Sequence, residues 1–530
     1  MATTMSRRQL VGGLAAAGVG VGLSLNIANA NASYDEYQQG VVGAESGTDL
    51  SDARYDVDLL VVGSGCAGVS AAVEGADQGL TVLMCEASPF FGGTTTATEG
   101  MLGLNTKYLD KLGISTDLKE AAADEYACSN YLANRYIIND FINKADDNFV
   151  WMEEYCGVQF EQEVTCNTLN PYQHFYVGKG AGMIGTMVEL AEQKGVNCLL
   201  ENCVKRAVLE EGKVVGAIVE DESGEYPVKC KAMVLATGGF AQNPELISQK
   251  LAWLNTDRCI NTSLGRVQGD GYYISVAAGG DTHGMCTCGW YDPALKSFYF
   301  GSELSVAACN TTYLWVNERA ERWINEDMTL RFSEVCYALF SQRRALAILS
   351  QSAVDRMIEE GCPVGWAGYI LNGTKLTDLQ NQLNDAMDTE PEGFFWGNNV
   401  AELADSMGVD PDALQATIDR YATMVEKGVD EDFGKDPTYL WEAPVDGERL
   451  YGFELCANLL NVSGGIVIDP TGAVVTVDGA PIPGLYAAGA DASGLLGFIY
   501  PNKYASTKQG FCLYSGRLCA QSAAKYVAGA

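Results

Sequence analysis

Histidine is almost missing from this chain, with two residues, His174 and His283, among 530. Proton chemistry therefore has to rest on Arg, Lys, Tyr or a carboxylate. Basic charge is scarce as well. Lys and Arg total 34 against 68 Asp and Glu, a formal net charge of −34. That balance excludes a phosphate-tracking nucleic-acid face and attachment to anionic lipid, and suits a basic or haem-bearing redox partner. No Cys-x-x-Cys-His occurs, so no haem is attached covalently to this chain. Repeats and low-complexity tracts are absent. Beyond about residue 25 no run of about 18 apolar residues lacks turn signals, so no membrane span is expected after the leader. Cysteine is plentiful, at 17. Cys85, Cys198 and Cys230 stand in apolar strands and read as small core residues. Cys286, Cys288, Cys309 and Cys336 have the chemistry to ligate an iron–sulfur cluster, but no Cys-x-x-Cys-x-x-Cys run supports one, and no metal ligand is assigned.

Residues 1–32 read as a twin-arginine leader. Ser6-Arg7-Arg8-Gln9-Leu10-Val11 precedes a short Gly/Ala/Val/Leu stretch and small-residue cleavage sites at Ala28–Ala32. Export of a folded protein to an extracytoplasmic location follows, with residues 33–54 as a polar linker.

Three separated segments then carry glycine after an apolar run. Gly63-Ser64-Gly65-Cys66-Ala67-Gly68 follows Asp58–Val62 and opens a small-residue helix. A strand, a tight turn and a helix start together present free backbone N–H groups to a pyrophosphate. The next strand ends at Glu86, whose carboxylate suits a ribose hydroxyl, with Ala87 beside it. Met233–Gly239, containing Thr237 and Gly238, and Gly484–Gly489 are two further strand-to-glycine turns. A nicotinamide enzyme needs the first segment alone. A long flavin dinucleotide needs contacts at both ends and its middle, so three converging segments point to non-covalent FAD. Asp410-Pro411 reads as an N-cap and first helical residue, with Leu414, Ile418, Tyr421 and Val425 at helical spacing behind it.

These motifs, with Phe91-Gly92-Gly93-Thr94-Thr95-Thr96, Gly269-Asp270-Gly271, Trp315-Val316-Asn317, Arg322–Glu326, Gly408–Pro411 and Ser463–Asp469, occur in one order. In that order the chain resembles the fumarate reductase/succinate dehydrogenase flavoprotein superfamily, in particular its soluble fumarate reductases and 3-ketosteroid dehydrogenases. The resemblance covers about 55–525. It implies an α/β fold, with a Rossmann-like FAD-binding domain of the GR2 type over 55–285 and 455–530 and an inserted α+β capping domain over 286–454. It also implies that Gly92, Gly93, Thr94, Thr95, Val204, Asp491 and Ser506 complete the FAD site, with substrate between the domains. Asn461 and Asp292 stand where the fumarate reductases carry histidines, and Lys503 where they carry arginine. Asn461 and Asp292, with Gly464 and Gly465, are the expected substrate contacts. The family's proton-donating arginine corresponds to Arg331, one residue out of register, and Tyr500 and Tyr504 resemble the tyrosines of the ketosteroid enzymes.

A fumarate site needs several cations to hold two carboxylates, and this chain offers few. The expected reaction is hydride transfer from reduced flavin to an activated C=C bond of an enone, unsaturated lactone or arylacrylate. Lys503, Tyr500 or Tyr504 would polarise the substrate, and Arg331 or a nearby tyrosine would donate the proton. Electrons would come from a separate cytochrome or membrane quinol oxidase. Two alternatives stand beside this: a ketosteroid-type dehydrogenase running oxidatively, and an exported flavin carrier with no organic substrate of its own.

Overall fold

The computed structural model describes residues 41–161, 171–299, 301–331, 333–366, 370–500 and 503–529. The twin-arginine leader lies outside the described residues. Three strands, Tyr55–Val62, Gly224–Leu235 and Pro481–Ala487, lie side by side and parallel. Leu59–Val62, Met233–Leu235 and Leu485–Ala487 are buried without polar alternation, as befits parallel strands covered on both faces. Their register sets Leu235 opposite both Val62 and Ala487. The glycine turns that follow these strands therefore leave the sheet at one edge, the place where open α/β sheets bind ligands. Val82–Cys85 and Asn197–Leu199 extend the sheet on one side, and Lys213–Asp221 and Cys203–Glu210 on the other, in a sheet of nine strands.

Gly43–Ser46, expected in a linker, is instead an edge strand of this sheet, parallel to Cys203–Glu210. Glu45 secures it by accepting a 2.6 Å hydrogen bond from Arg206 Nε. Helix Cys66–Asp77 and the C-terminal helix Thr507–Gly529 pack on each other through small residues. A Cβ on Gly516 would lie 2.2 Å from the Ala67 carbonyl oxygen, so a larger residue would push the two helices apart.

A second sheet of seven strands is built around the long strand Leu450–Gly464. That strand runs through the expected domain boundary at 454, and Cys259–Asn261, from the expected FAD-binding part, joins the same sheet. One continuous strand thus carries Asn461 from the cap into the groove. Helix Pro411–Lys427 starts as expected, with Asp410 Oδ1 accepting from Asp412 N at 2.9 Å and Ala413 N at 3.1 Å. Leu414, Ile418 and Tyr421 are buried, but Met424, rather than the expected Val425, completes the stripe. Among the described residues no helix is long and apolar enough to cross a membrane.

The cap also encloses a buried ionic cluster. Arg322 donates to Glu326 Oε1 at 3.0 Å and Oε2 at 2.7 Å, and to both oxygens of Asp430 at 2.8 Å. Lys435 Nζ adds contacts to Glu326 at 3.3 Å and Tyr421 Oη at 3.0 Å. Removing one member leaves the others charged and uncompensated away from water. Arg322→Met is therefore expected to destabilise the protein by about 3–5 kcal/mol in urea unfolding, while the FAD content of the folded fraction stays unchanged.

Candidate active site

The three turns converge on one groove with an internal space of about 1530 Å³, its open mouth included. The groove is extended, lined continuously from the Gly63–Gly68 turn to the cap-sheet residues Trp290 and Asn461. Gly63, Ser64, Gly65, Ala67, Glu86, Ala87, Gly92, Gly93, Thr94, Thr95, Val204, Thr237, Gly238, Gly489 and Ser506 all line it. Two expected cofactor residues act from behind. A Cβ on Gly68 would sit 2.0 Å from the Gly63 carbonyl oxygen, so this glycine lets the helix close on the turn. Asp491 accepts from Thr237 N at 2.6 Å and Gly239 N at 2.8 Å, fixing the second turn.

The first turn is held from several sides. Glu86 Oε2 accepts from Ser64 N at 3.0 Å and Ser64 Oγ at 2.6 Å, and Oε1 accepts from Ser88 N at 2.8 Å. Ser64 Oγ in turn accepts from Gly92 N at 2.9 Å, and Thr95 Oγ1 accepts from Cys66 N at 3.0 Å. Strand end, phosphate turn and the 92–95 segment thus form one preorganised wall. Gln509 lines the groove too, and its Nε2 is buried without a hydrogen-bond partner, a donor available to a ligand acceptor. Gly-lined turns, a helix N-terminus and a spare buried donor fit an FAD.

Beyond the expected FAD residues the groove is also lined by Trp290, Tyr291, Leu460 and Asn461 from the cap sheet and its margin, and by Tyr500 and Glu99. Asn461 stands opposite Gly289 on the paired strand, and a Cβ there would lie 2.4 Å from Asn461 Nδ2. Its Oδ1 accepts from Ser463 Oγ at 2.6 Å, which orients the amide. Tyr500 is tied to the cap by Ser333 Oγ, which donates to its carbonyl oxygen at 2.8 Å. Burial pushes the Tyr500 phenol well above its ordinary pKa, so it stays protonated.

The remaining expected site residues fall elsewhere. Arg331 is two-thirds exposed and pairs with Glu334 at 3.3 Å, because the 3-10 turn Glu326–Arg331 carries it to the surface. Lys503 is half exposed and paired with Asp124, and Tyr504 Oη donates to the same carboxylate at 3.1 Å. None of these three lines the groove. Gly464 and Gly465 sit behind it, where a Cβ on Gly464 would lie 1.9 Å from the Met285 carbonyl oxygen. Asp292 is buried with Oδ2 unpartnered and does not line the groove either. Burial, and then the neighbouring Glu99, push its pKa well up.

Neither histidine lines the groove. His174 is buried between Thr106 Oγ1 at 2.7 Å and the Tyr172 carbonyl oxygen at 3.1 Å, and burial pushes its pKa down to about 4. His283 is exposed beside Asp281. Cys286, Cys288 and Cys336 are buried and Cys309 packs against the same core. Among the described residues no group of three or more His, Cys, Asp or Glu side chains could hold a metal ion.

The sequence reading missed Trp290, Tyr291, Glu99, Arg266 and Lys508. Arg266 meets Asp270 at 2.8 Å across the bend at Gly269 that precedes helix Asp270–Ala277, a contact that helical spacing does not foretell.

This fold and groove define a flavoprotein with a second sheet beside the FAD-binding fold. The family model for the FAD binding domain matches residues 58–503, and the chain belongs to that family, among the fumarate reductase/succinate dehydrogenase flavoproteins. It is 32% identical over 486 residues to vinyl phenol reductase of Lactiplantibacillus plantarum, covering 89% of this chain and 98% of that protein. It is 27% identical over 504 residues to the cytochrome-type fumarate reductase of Shewanella frigidimarina, covering 90% of this chain and 79% of that one. The crystal structure of 3-ketosteroid delta1-dehydrogenase from Sterolibacterium denitrificans superposes with a TM-score of 0.72 at 16% identity, over 89% of this chain and 100% of that one. The protein is an FAD-dependent oxidoreductase acting on carbon–carbon double bonds, a reductase of the fumarate reductase family.

Proposed function

We propose that the substrate is a small, weakly charged aryl alkene, of the vinyl phenol or arylacrylate kind, reduced at its C=C bond. The observation that carries this is the cavity wall of Trp290, Tyr291, Tyr500 and Asn461. Aromatic faces stack on a planar conjugated substrate, and the Asn461 amide and the Tyr500 phenol supply polar contacts. A dicarboxylate would find Glu99 in the wall, while Arg266 is committed to Asp270. The 32% identity to a vinyl phenol reductase supports the same substrate class.

Reduced FAD, when bound, supplies hydride to one alkene carbon. The chain's part is to orient the alkene, exclude water and provide a proton. Tyr500, kept neutral by burial, gives its phenolic proton to the adjacent carbon, and Asn461 Nδ2 donates a hydrogen bond to a substrate oxygen. Electrons come from a separate carrier, and a basic or haem-bearing one suits the net charge of −34. The twin-arginine pattern at Arg7 and Arg8 supports a reaction outside the cytoplasm.

The test is anaerobic reduction of the bound flavin with a viologen dye, followed by mixing with vinyl phenol, arylacrylates, enones, lactones and fumarate. Reoxidation by the aryl alkenes is expected to outpace that by fumarate by about a hundredfold, close to 3 kcal/mol of discrimination. Fastest reoxidation by fumarate overturns the substrate class. Reoxidation by no organic compound leaves an electron carrier.

A further inference from the structure

Lys508 is a buried lysine on the second residue of helix Thr507–Gly529, and it lines the FAD groove. Its ammonium carries three N–H donors. One donates to the Gly489 carbonyl oxygen at 3.0 Å, and the ammonium lies 5.3 Å from the Phe511 ring centroid. No carboxylate among the described residues forms an ion pair with it within 4 Å. The titratable groups that act on it are Cys512 and Asp491. Burial keeps the Cys512 thiol protonated, and Asp491 spends its oxygens on Thr237 and Gly239. A buried cation with one neutral acceptor is costly unless a ligand brings an anion.

FAD offers two negative parts, its pyrophosphate and its ring once reduced. The pyrophosphate already has the Gly63–Gly68 turn and the start of helix Cys66–Asp77. Lys508 also walls a small void with Ser463, Gly464 and Ser493, and Glu86, expected at the adenosine end, is not among the residues lining that void. The first turn of its own helix adds a positive dipole end at the same place. We infer that Lys508 is the cation that stabilises the anionic reduced ring of FAD, so that the ring takes up two electrons and one proton instead of two protons. This rests on the FAD reading of the groove and adds to it the charge state of the reduced cofactor.

The experiment measures the two-electron potential of the bound flavin by dye equilibration with dithionite as reductant, together with FAD affinity in both redox states. Lys508→Met is expected to weaken reduced FAD about tenfold more than oxidised FAD, lowering the potential by about 30 mV, with Lys508→Arg close to the parent. In the unaltered protein the potential should fall by about 30 mV per pH unit between pH 6 and 8, the slope for two electrons and one proton. That measurement holds even where the Met variant fails to retain flavin. A slope near 59 mV per pH unit, or equal weakening of both redox states, which is the signature of a pyrophosphate contact, overturns the inference. An unaltered protein that takes up no FAD defeats the FAD reading itself.

Discussion

Protein carrying Gly63→Ala is expected to purify colourless, with FAD affinity reduced by at least about a hundredfold, or roughly 3 kcal/mol. Gly63 ends the first strand at φ +101°, a conformation that costs a non-glycine residue about 1–3 kcal/mol. Space is the larger problem. A Cβ at 63 would lie 2.3 Å from the Ala236 carbonyl oxygen and 2.9 Å from its carbon. Ala236 leads into the Thr237–Gly238 turn, so one methyl group drives two of the three cofactor turns apart. Gly79→Ala is the control, since Gly79 has φ +82° but a Cβ there would meet no atom within 4 Å. It carries the same conformational strain outside the groove, and should lose stability while keeping its flavin. The readout is the ratio of flavin to protein absorbance, followed by titration of apo-protein with FAD. Gly63→Ala binding FAD within about threefold of the parent would show that the turns do not depend on this contact.

The same geometry explains what could be read from the sequence. Each FAD segment is a local pattern, an apolar run followed by glycine, and three such patterns specify a shared sheet edge without knowledge of the intervening chain. Residues 63–68, 86–87 and 237–238 could be placed for that reason. Between Gly269-Asp270-Gly271 and Ser463-Gly464-Gly465 the cap's landmarks, Trp315-Val316-Asn317, Arg322–Glu326 and Gly408–Pro411, are not strand-to-glycine turns and specify no shared sheet edge. Arg331 lies at the end of the 3-10 turn Glu326–Arg331, which carries it to the surface beside Glu334. Gly464 and Gly465 belong to the expected site, but their backbone packs on Met285 and Tyr272 instead of opening to the groove. Lys508 escaped notice because lysine near a helix start ordinarily faces water, and nothing local signals that the helix end is buried. The strand at Gly43–Ser46 is polar and short, so only its ladder with Cys203–Glu210 reveals it.

Of the four residues expected to act on substrate, Tyr500 is the one that the folded chain brings to the groove, and the largest catalytic effect should follow its alteration. Tyr500→Phe keeps the ring that packs against the cavity and removes the phenolic proton. General acid catalysis contributes about 10²–10⁴-fold, so single-turnover reoxidation of reduced flavin by an aryl alkene should slow by about 10²–10³-fold. Flavin content and thermal stability should barely change, because the Ser333 anchor bonds the backbone oxygen and not the hydroxyl. The kinetic pattern separates donation of a proton from simple binding. Loss of an acid needed only in the transition state lowers kcat and kcat/KM together, whereas loss of a ground-state contact raises KM alone. Arg331→Gln should leave the rate within about twofold, since its guanidinium faces solvent beside Glu334. The reverse result, with Arg331→Gln inactive and Tyr500→Phe unimpaired, would mean that the cap closes over substrate far enough to bring the 326–331 turn into the groove. The proton would then come from the surface arginine that the sequence resemblance first indicated.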